Sequence, residues 1–504
     1  MNFKKNISKT KRLSLANKNV FFNLVGGMWA GILILSVTPQ YVKILGFDGY
    51  GVLGFWLLVQ GLISLLDMGV GAALVREFSK IPSMATTFSK QQDVLKTLEY
   101  VYLGLTVIAI IFLFTLADWI STSWLRSNVY SSNYLKNVII NMGLAVGVQF
   151  FCSLYTNALI GLQRQRDMNI LQIIFNSSRH LLGLLVIYYT QDLTVFFLLQ
   201  LFIAIAQLLV SRHVVRKAIS PENSFSSKFK LEIIIKMWRF SAGMAVTAFS
   251  GIMIANVDRI VLSKLLLTND LGKYAVAFAA AGLIQMGIQP FYRAYFPRFS
   301  ELVSSGSSEL KNVYFSSNYL MATVLIPLVF IGYVFAPQLI EIWLGSSQDD
   351  VVRIFRWLLI GIGLSGLMWL PVALQHAHGW TSLHVKMMIL ALIIGVPLMF
   401  YMIKTHGVLG GVTVWVVHGF LEVTLGIFLM HRSILTGQLL IWVLKIPVTI
   451  ILIALPVVGI SFLFFPENMT AISTFLWLAL TGLTAVVFVF AIGWKNKILS
   501  FDVI

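Results

Sequence analysis

The sequence predicts an all-α, polytopic membrane protein with about fourteen transmembrane helices, arranged as two lobes of about six helices each plus two C-terminal helices. Three observations carry that prediction. Apolar stretches of about 20–25 residues recur along almost the whole chain with short polar breaks, and each is long enough to cross a bilayer as a helix. Apolar residues make up 58% of the 504 and charged residues only 11%, which leaves too few polar faces for a soluble fold of this length. Lysine and arginine alternate between successive breaks, as the cytoplasmic bias of positive charge requires of a chain that threads back and forth.

The spans run roughly over 20–43, 50–75, 97–120, 134–160, 167–190, 192–216, 236–264, 271–296, 313–343, 352–376, 382–403, 407–430, 441–465 and 470–493. A basic stretch precedes the first, with Lys4, Lys5, Lys9, Lys11, Arg12 and Lys18. Asp48 stands in the first break, and Arg76, Lys80, Lys90 and Lys96 fill the second. Asp118 follows in the third, Arg164 and Arg166 in the fourth, and Asp192 in the fifth. The sixth holds Arg212, Arg216, Lys217, Lys228, Lys230 and Lys236. Later breaks keep the rhythm: Asp270, then Arg298 and Lys311, then Asp349 and Asp350. Glu467 lies between the last two spans, and Lys495 and Lys497 follow them. Both termini are therefore expected in the cytoplasm, which demands an even number of spans. The formal charge of +17 has this topological explanation and does not call for nucleic acid as a partner. The first apolar stretch is too long for a signal h-region and lacks a small-residue cleavage site, so no cleaved signal is expected.

The longest polar stretch, Val214 to Leu231, contains the serine-rich run SPENSFSSKFK. It marks a linker, giving an N-terminal lobe over 1–216, a cytoplasmic linker over 217–235, a C-terminal lobe over 236–435, and two added spans with a cytoplasmic tail over 436–504. The lobes read as copies. KILGFDGYGVLGF from Lys43 leads to LDMGVGAALVREFSK ending at Lys80, and KLLLTNDLGKYAVAF from Lys264 leads to YRAYFPRFSEL ending at Leu302. An even number of spans per copy keeps both in one orientation, which implies a pseudo-two-fold axis along the membrane normal and a cavity between the lobes. The motifs Gly27-x-x-x-Gly31 and Gly407-x-x-x-Gly411 point to close helix packing.

An ionisable side chain at a helix centre costs roughly 2.5–3.5 kcal/mol on insertion scales, so it turns to a partner or to a water-filled cavity. Arg179 lies in the middle of span five, and Asn169, Gln172, Asn176 and Arg179 recur on one helical face. That stripe reads either as the wall of a wet lumen or as a structural arginine paired to a buried carboxylate. Span eight repeats the theme with Gln285, Gln289 and Tyr292 followed by Arg293, and Pro290 makes either a hinge or a plain kink there. Span six adds Gln200 and Gln207 on one face. Arg76, Arg239, Arg259 and Arg298 stand towards span ends and complete a cationic set suited to phosphate or carboxylate. An anionic cargo follows, held by these arginines and by the amides Gln172, Asn176, Gln285 and Gln289. Asp67, Asp258 and Glu422 are the candidates for coupling to an ion gradient, although Asp67 reads rather as balancing a cation, with Arg76 on the same cytoplasmic side, and for Glu422 both roles stay open. His376 and His378 are spaced poorly for joint ligation and read as interfacial histidines. Cys152 is the single cysteine, no Cys/His spacing suggests zinc, and no Walker A motif is present. Neither a metal nor a cofactor nor a catalytic residue is expected.

Five segments carry a family resemblance: YGVLGFWLLVQGLISLLDMGVGAALVREFSK, NVDRIVLSKLLLTNDLGKYAVAF, FPRFSEL, LQHAHGWTSLHVK and THGVLGGVTVWVVHG. In order and character they resemble bacterial Wzx-type polysaccharide flippases of the multidrug/oligosaccharidyl-lipid/polysaccharide exporter superfamily. The resemblance covers most of spans one to twelve. It implies two helical bundles around a central cavity, working by alternating access in the bacterial inner membrane. Its implied cargo is an undecaprenyl-pyrophosphate-linked oligosaccharide, passed from the cytoplasmic to the periplasmic leaflet, with a polysaccharide polymerase and chain-length regulator as partners. Flippases of this type often have twelve spans, and the higher count here raises the lipid II flippase branch as an alternative. A multidrug or cation antiporter of the same fold would be expected to line its lumen with carboxylates. A membrane glycosyltransferase or polymerase would show a large outer loop, and the outer breaks here are short.

Overall fold

The computed structural model describes the backbone of residues 2–80, 85–219, 227–466, 469–496 and 498, and the side chains of the same stretches apart from 2–21, 24, 80, 85–88, 239–240, 242–244 and 246–248. These residues are almost wholly helical, and among them no strand forms beyond one isolated bridge between Arg126 and Leu267. In hydrocarbon every backbone polar group needs an internal partner, and a helix supplies one within the segment. Among the described residues eleven stretches are long and apolar enough to cross a membrane, so the chain is a multi-span membrane protein as its composition predicts. Two of them, Val25–Asp67 with 43 residues and Ser382–Ser433 with 52, exceed one crossing, and each divides at a glycine. Gly46 has φ 67° and Gly407 φ 59°, a region where a side chain is strained.

The chain divides into two compact units, Met1–Gly272 and Lys273–Ile504. The first holds α1 (Asn2–Ser64), α2 (Val70–Lys80), α3 (Ala85–Trp119), α4 (Ser132–Gly161), α5 (Gln165–Thr190), α6 (Leu193–Ile219), α7 (Leu231–Leu265) and the start of α8 (Thr268–Ser305). Helix α4 is its axis, packed by α2, α3 and α6, while α1 lies against α5. Helix α7 packs on α1, α2 and α3 and is fastened at its end. The Lys264 ammonium donates to the Ser123 carbonyl at 2.6 Å, and Arg126 Nη2 to the Leu265 carbonyl at 3.0 Å. The start of α7 is tied to α3, because Lys230 Nζ lies 2.5 Å from Asp93 Oδ2 and the Lys228 amide donates to Asp93 Oδ1 at 2.8 Å. That carboxylate pushes the Lys230 ammonium above its ordinary pKa. Between α5 and α6, Asp192 accepts from the Thr194 amide at 2.7 Å and from the Tyr134 hydroxyl at 2.9 Å, joining the start of α6 to α4.

Backbones approach closely where α1 crosses the start of α8. A Cβ on Gly51 would collide with the Thr268 carbonyl, and one on Gly272 would collide with the Phe47 carbonyl. Asp48 closes the contact by accepting from Thr268 Oγ1 at 2.5 Å and Asn269 Nδ2 at 2.9 Å. The reciprocity relates the two stretches that the sequence repeat aligns.

The second unit is built on α9 (Leu310–Val334), which buries Tyr314, Tyr319, Met321 and Leu325. Around it stand α10 (Ala336–Leu344), α11 (Asp349–Leu367), α12 (Trp369–Ala377), α16 (Thr449–Leu463) and α17 (Ala471–Lys495). The unit also contains α13 (Ser382–Leu421), α14 (Ile427–Ser433) and α15 (Leu439–Val443). Two expected spans are each divided, the ninth at Phe335 and the tenth at Met368. Pro337 and Pro371 follow those breaks and lack the N–H that would extend the preceding ladder. Two buried hydroxyls lock α17 onto α9: Ser316 donates to the Ile498 carbonyl at 2.6 Å and Tyr319 to the Val489 carbonyl at 2.7 Å. Outward faces are apolar in both units, as at Leu103, Val107 and Phe114 on α3 and Phe475, Leu480 and Val487 on α17. Such faces suit lipid.

Candidate functional site

A spanning helix can interrupt its ladder only where other groups take up the backbone. After Ser64 the chain of the first unit tightens into a 3₁₀ turn, Leu65–Asp67. Met68 and Gly69 then take left-handed φ of 43° and 75°, and α2 begins at Val70. The break puts the Asp67 carboxylate over the restarted helix, where both of its oxygens accept from the Gly71 amide, at 3.2 and 3.1 Å. The Tyr102 hydroxyl of α3 donates to the same carboxylate. Gly71 leaves no room for a Cβ because the Asn157 amide of α4 lies against it. Asp67 borders a pocket of about 340 Å³ whose polar lining is Gln60, Ser64, Asp67, Gln149, Ser153 and Asn157. Gln60 Nε2 donates to Gln149 Oε1 across it at 2.8 Å. One carboxylate among amides and hydroxyls can hold a proton or a cation, and the amides can bond the hydroxyls of a sugar.

The other expected residues of this unit lie apart from that pocket. Arg179 is 5% exposed and donates through Nη2 to Gln207 Oε1 at 2.6 Å, with Asn176 Oδ1 at 3.5 Å from Nη1. Gln200 Nε2 donates to the Arg179 carbonyl at 3.2 Å. The guanidinium thus bonds neutral amides of α5 and α6. Gln172 is half-buried, and Asn169 is buried and bonds Asn23 Oδ1 at 2.7 Å. Arg76 is exposed on α2. Asp258 is fully buried on α7, and Arg259 beside it is half-buried, its Nη1 3.5 Å from Asn256 Oδ1. The side chain of Arg239 lies outside the described residues.

In the second unit Glu422 opens a π-helical turn, Glu422–Gly426, between α13 and α14. A wide turn of this kind displaces side chains from the regular helical face. The Glu422 carboxylate is 3.6 Å from His418 Nε2, one turn back. On α8, Gln285 is half-buried while Gln289 and Arg293 are exposed, and Arg293 Nη2 donates to Gln289 Oε1 at 3.1 Å. Arg298 pairs with Glu301 at 3.0 Å and Glu309 at 3.6 Å. Helix α8 runs unbroken through Pro290. His376 meets the Tyr292 hydroxyl at 2.9 Å and the His384 ring at 5.5 Å between centroids, whereas His378 Nδ1 faces the Leu374 carbonyl.

Sequence reading missed two polar groupings. Gln149, Ser153 and Asn157 form an i, i+4, i+8 stripe on α4, the same signal that drew attention to α5. Glu99 on α3 was not singled out, yet it holds Arg212 at 3.3 Å, Arg216 at 3.1 Å and the Tyr155 hydroxyl at 2.8 Å.

Comparison with known proteins agrees with the helical membrane fold. A Shigella flexneri protein named "Putative O-antigen transporter" is 22% identical over 414 residues, covering 81% of this chain and 96% of its own length. Among solved structures, the lipid II flippase MurJ in an inward closed conformation superposes with a TM-score of 0.71 at 12% identity, covering 95% of this chain and all of MurJ. An inward-facing multidrug resistance MATE family transporter of the MOP superfamily gives 0.61 at 13% identity, covering 83% and 96%. These proteins are transporters and flippases rather than enzymes. Residues 16–303 match the polysaccharide biosynthesis protein family, and the chain belongs to that family.

Proposed function

We propose that the protein is a flippase for undecaprenyl-pyrophosphate-linked oligosaccharide repeat units, moving them from the cytoplasmic to the periplasmic leaflet by alternating access. The observation that carries this reading is family membership over residues 16–303, in a chain whose membrane helices hold a pocket lined with amides and hydroxyls. A glycan on a pyrophosphate cannot cross hydrocarbon unaided, because each hydroxyl and charge loses its water. The pocket supplies replacement hydrogen bonds for sugars. Arg76 in the first unit and Arg293 in the second are each exposed, and a guanidinium is suited to a phosphate. Arg179 keeps a part through its hold on Gln207, which fixes α5 against α6. The protein acts in the bacterial inner membrane with about fourteen crossings and both termini in the cytoplasm. A polymerase and a chain-length regulator receive its product.

The test is deletion of the gene in its host, with measurement of surface polysaccharide and of undecaprenyl-linked oligosaccharide. Loss of the surface glycan with build-up of the lipid-linked unit, rescued by wild type, is the expected result. Normal surface glycan would overturn it.

A second reading rests on Asp67. The pocket beside Asp67 has a carboxylate and, among the described residues, no arginine in its lining, which suits a cation antiporter. In the flippase reading the same carboxylate serves coupling to a proton or sodium gradient. Altered drug sensitivity with intact surface glycan would favour the antiporter.

A further inference from the structure

The second unit has a polar pocket that the proposed transport does not use. It measures about 350 Å³ and lies between the start of α9, α15 with the turn that follows it, and Ile498 just past α17. Its charged groups are Lys311 and Lys445, and Asn312, Ser316 and Gln438 add polar atoms. Among the described residues no ion pair engages either lysine. Lys311 and Asn312 stand in the first turn of α9, whose N-terminus has no side-chain cap and carries positive partial charge. The pocket's other wall is apolar, made by Phe315 and Ile441. Beside it Leu440 and Leu444 are 67% and 50% exposed, a surface for hydrocarbon.

We propose that this pocket binds the phosphate of an anionic glycerophospholipid, with the acyl chains lying along Leu440 and Leu444. The two lysines and the α9 amides take the phosphate. The apolar wall and the neighbouring leucines distinguish a lipid from free phosphate. Lys311 and Lys445 carry like charge into one pocket, so a bound phosphate between them offsets their repulsion and joins the start of α9 to the turn after α15. A juxtamembrane lysine contributes roughly fivefold in affinity for an anionic surface.

The experiment is native mass spectrometry of the full-length protein in detergent, equilibrated with equimolar phosphatidylglycerol and phosphatidylcholine, alongside thermal unfolding. Wild type is expected to retain phosphatidylglycerol preferentially and to melt higher in its presence. Lys311→Gln and Lys445→Gln should each lower that preference about fivefold, and Lys311→Arg with Lys445→Arg should restore it. Both lysines are exposed, so the unfolding curves without lipid should match wild type. Equal retention of the two lipids, or a preference that survives both glutamine substitutions, overturns the proposal. Stabilisation by inorganic phosphate alone to the same extent would assign the pocket to a soluble anion instead. A preference that emerges only on deletion of residues 499–504 would make the chain's own tail the occupant, and that also overturns it.

Discussion

Asp67 accepts from Gly71 and Tyr102, and Asp67→Asn removes the charge while keeping a side-chain acceptor oxygen, which makes it a probe of the charge. The amide retains an acceptor for both donors, so stability should change by less than about 1 kcal/mol. If Asp67 couples transport to an ion gradient, flipping in vesicles should continue at a low rate that no longer responds to the imposed gradient. An unchanged gradient dependence rejects the coupling role. Asp192 supplies a second test at this scale. Burial pushes its carboxyl up, but the Thr194 amide and the Tyr134 hydroxyl outweigh that and hold it below its ordinary value. A lowered folded pKa contributes stability above the unfolded carboxylate value near 3.9, lost as pH falls through the folded value. Asp192→Asn should therefore cost about 1 kcal/mol at neutral pH, measured by thermal unfolding, and the gap should close in acid. Asp67 was legible in the sequence because an ionisable group in an apolar run announces itself. Its partners were not, because Tyr102 and Asn157 come from other helices and spacing along one helix says nothing of which helix will face it.

In both units a candidate carboxylate stands at a helix break. Asp67 stands at a 3₁₀ turn and Glu422 at a π turn, each an interruption in an otherwise apolar segment. The helices themselves were readable from length and hydropathy; Gly46 falls in the break between the first two predicted spans, while Gly407 stands at the first residue of the twelfth. The π turn was not, since no residue type specifies it. At the crossing of Gly51 and Gly272 each glycine faces a backbone carbonyl of the other stretch. Gly51→Ala should destabilise the protein by about 1–3 kcal/mol, because the added methyl meets a peptide carbonyl and no rotamer relieves it. Gly104→Ala, with open space around its Cβ, is the control and should be neutral or slightly stabilising. Equal melting temperatures for the two variants would remove the steric argument.

At the level of the molecule the charge alternation makes the sidedness testable. Cys152 is buried, so a Cys152→Ser background leaves no thiol to confuse labelling. An impermeant thiol reagent added to intact cells should label Ser346→Cys, in the loop after α10. It should reach Ser307→Cys, in the loop before α9, only after permeabilisation. The reverse pattern would invert the topology. Composition and charge rhythm were enough to read the all-helical membrane class, because the bilayer imposes both. The grouping of α7 with the first unit was not readable. It depends on Arg126, Lys264 and Asp93, whose partners are carbonyls and a distant lysine.

The seal between α9 and α17 has a consequence in time. Tyr319 and Ser316 receive their partners from residues 170 and 182 positions later in the chain. At a synthesis rate of about 5–20 residues per second, α9 leaves the ribosome on the order of ten to thirty seconds before those carbonyls exist. Through that interval two hydroxyls and the wide face around them sit in the bilayer with their final neighbour missing. The nascent protein is then most exposed to wrong pairing and to quality-control proteases, and a ribosome stalled anywhere past α9 yields a product whose central helix is open on one side.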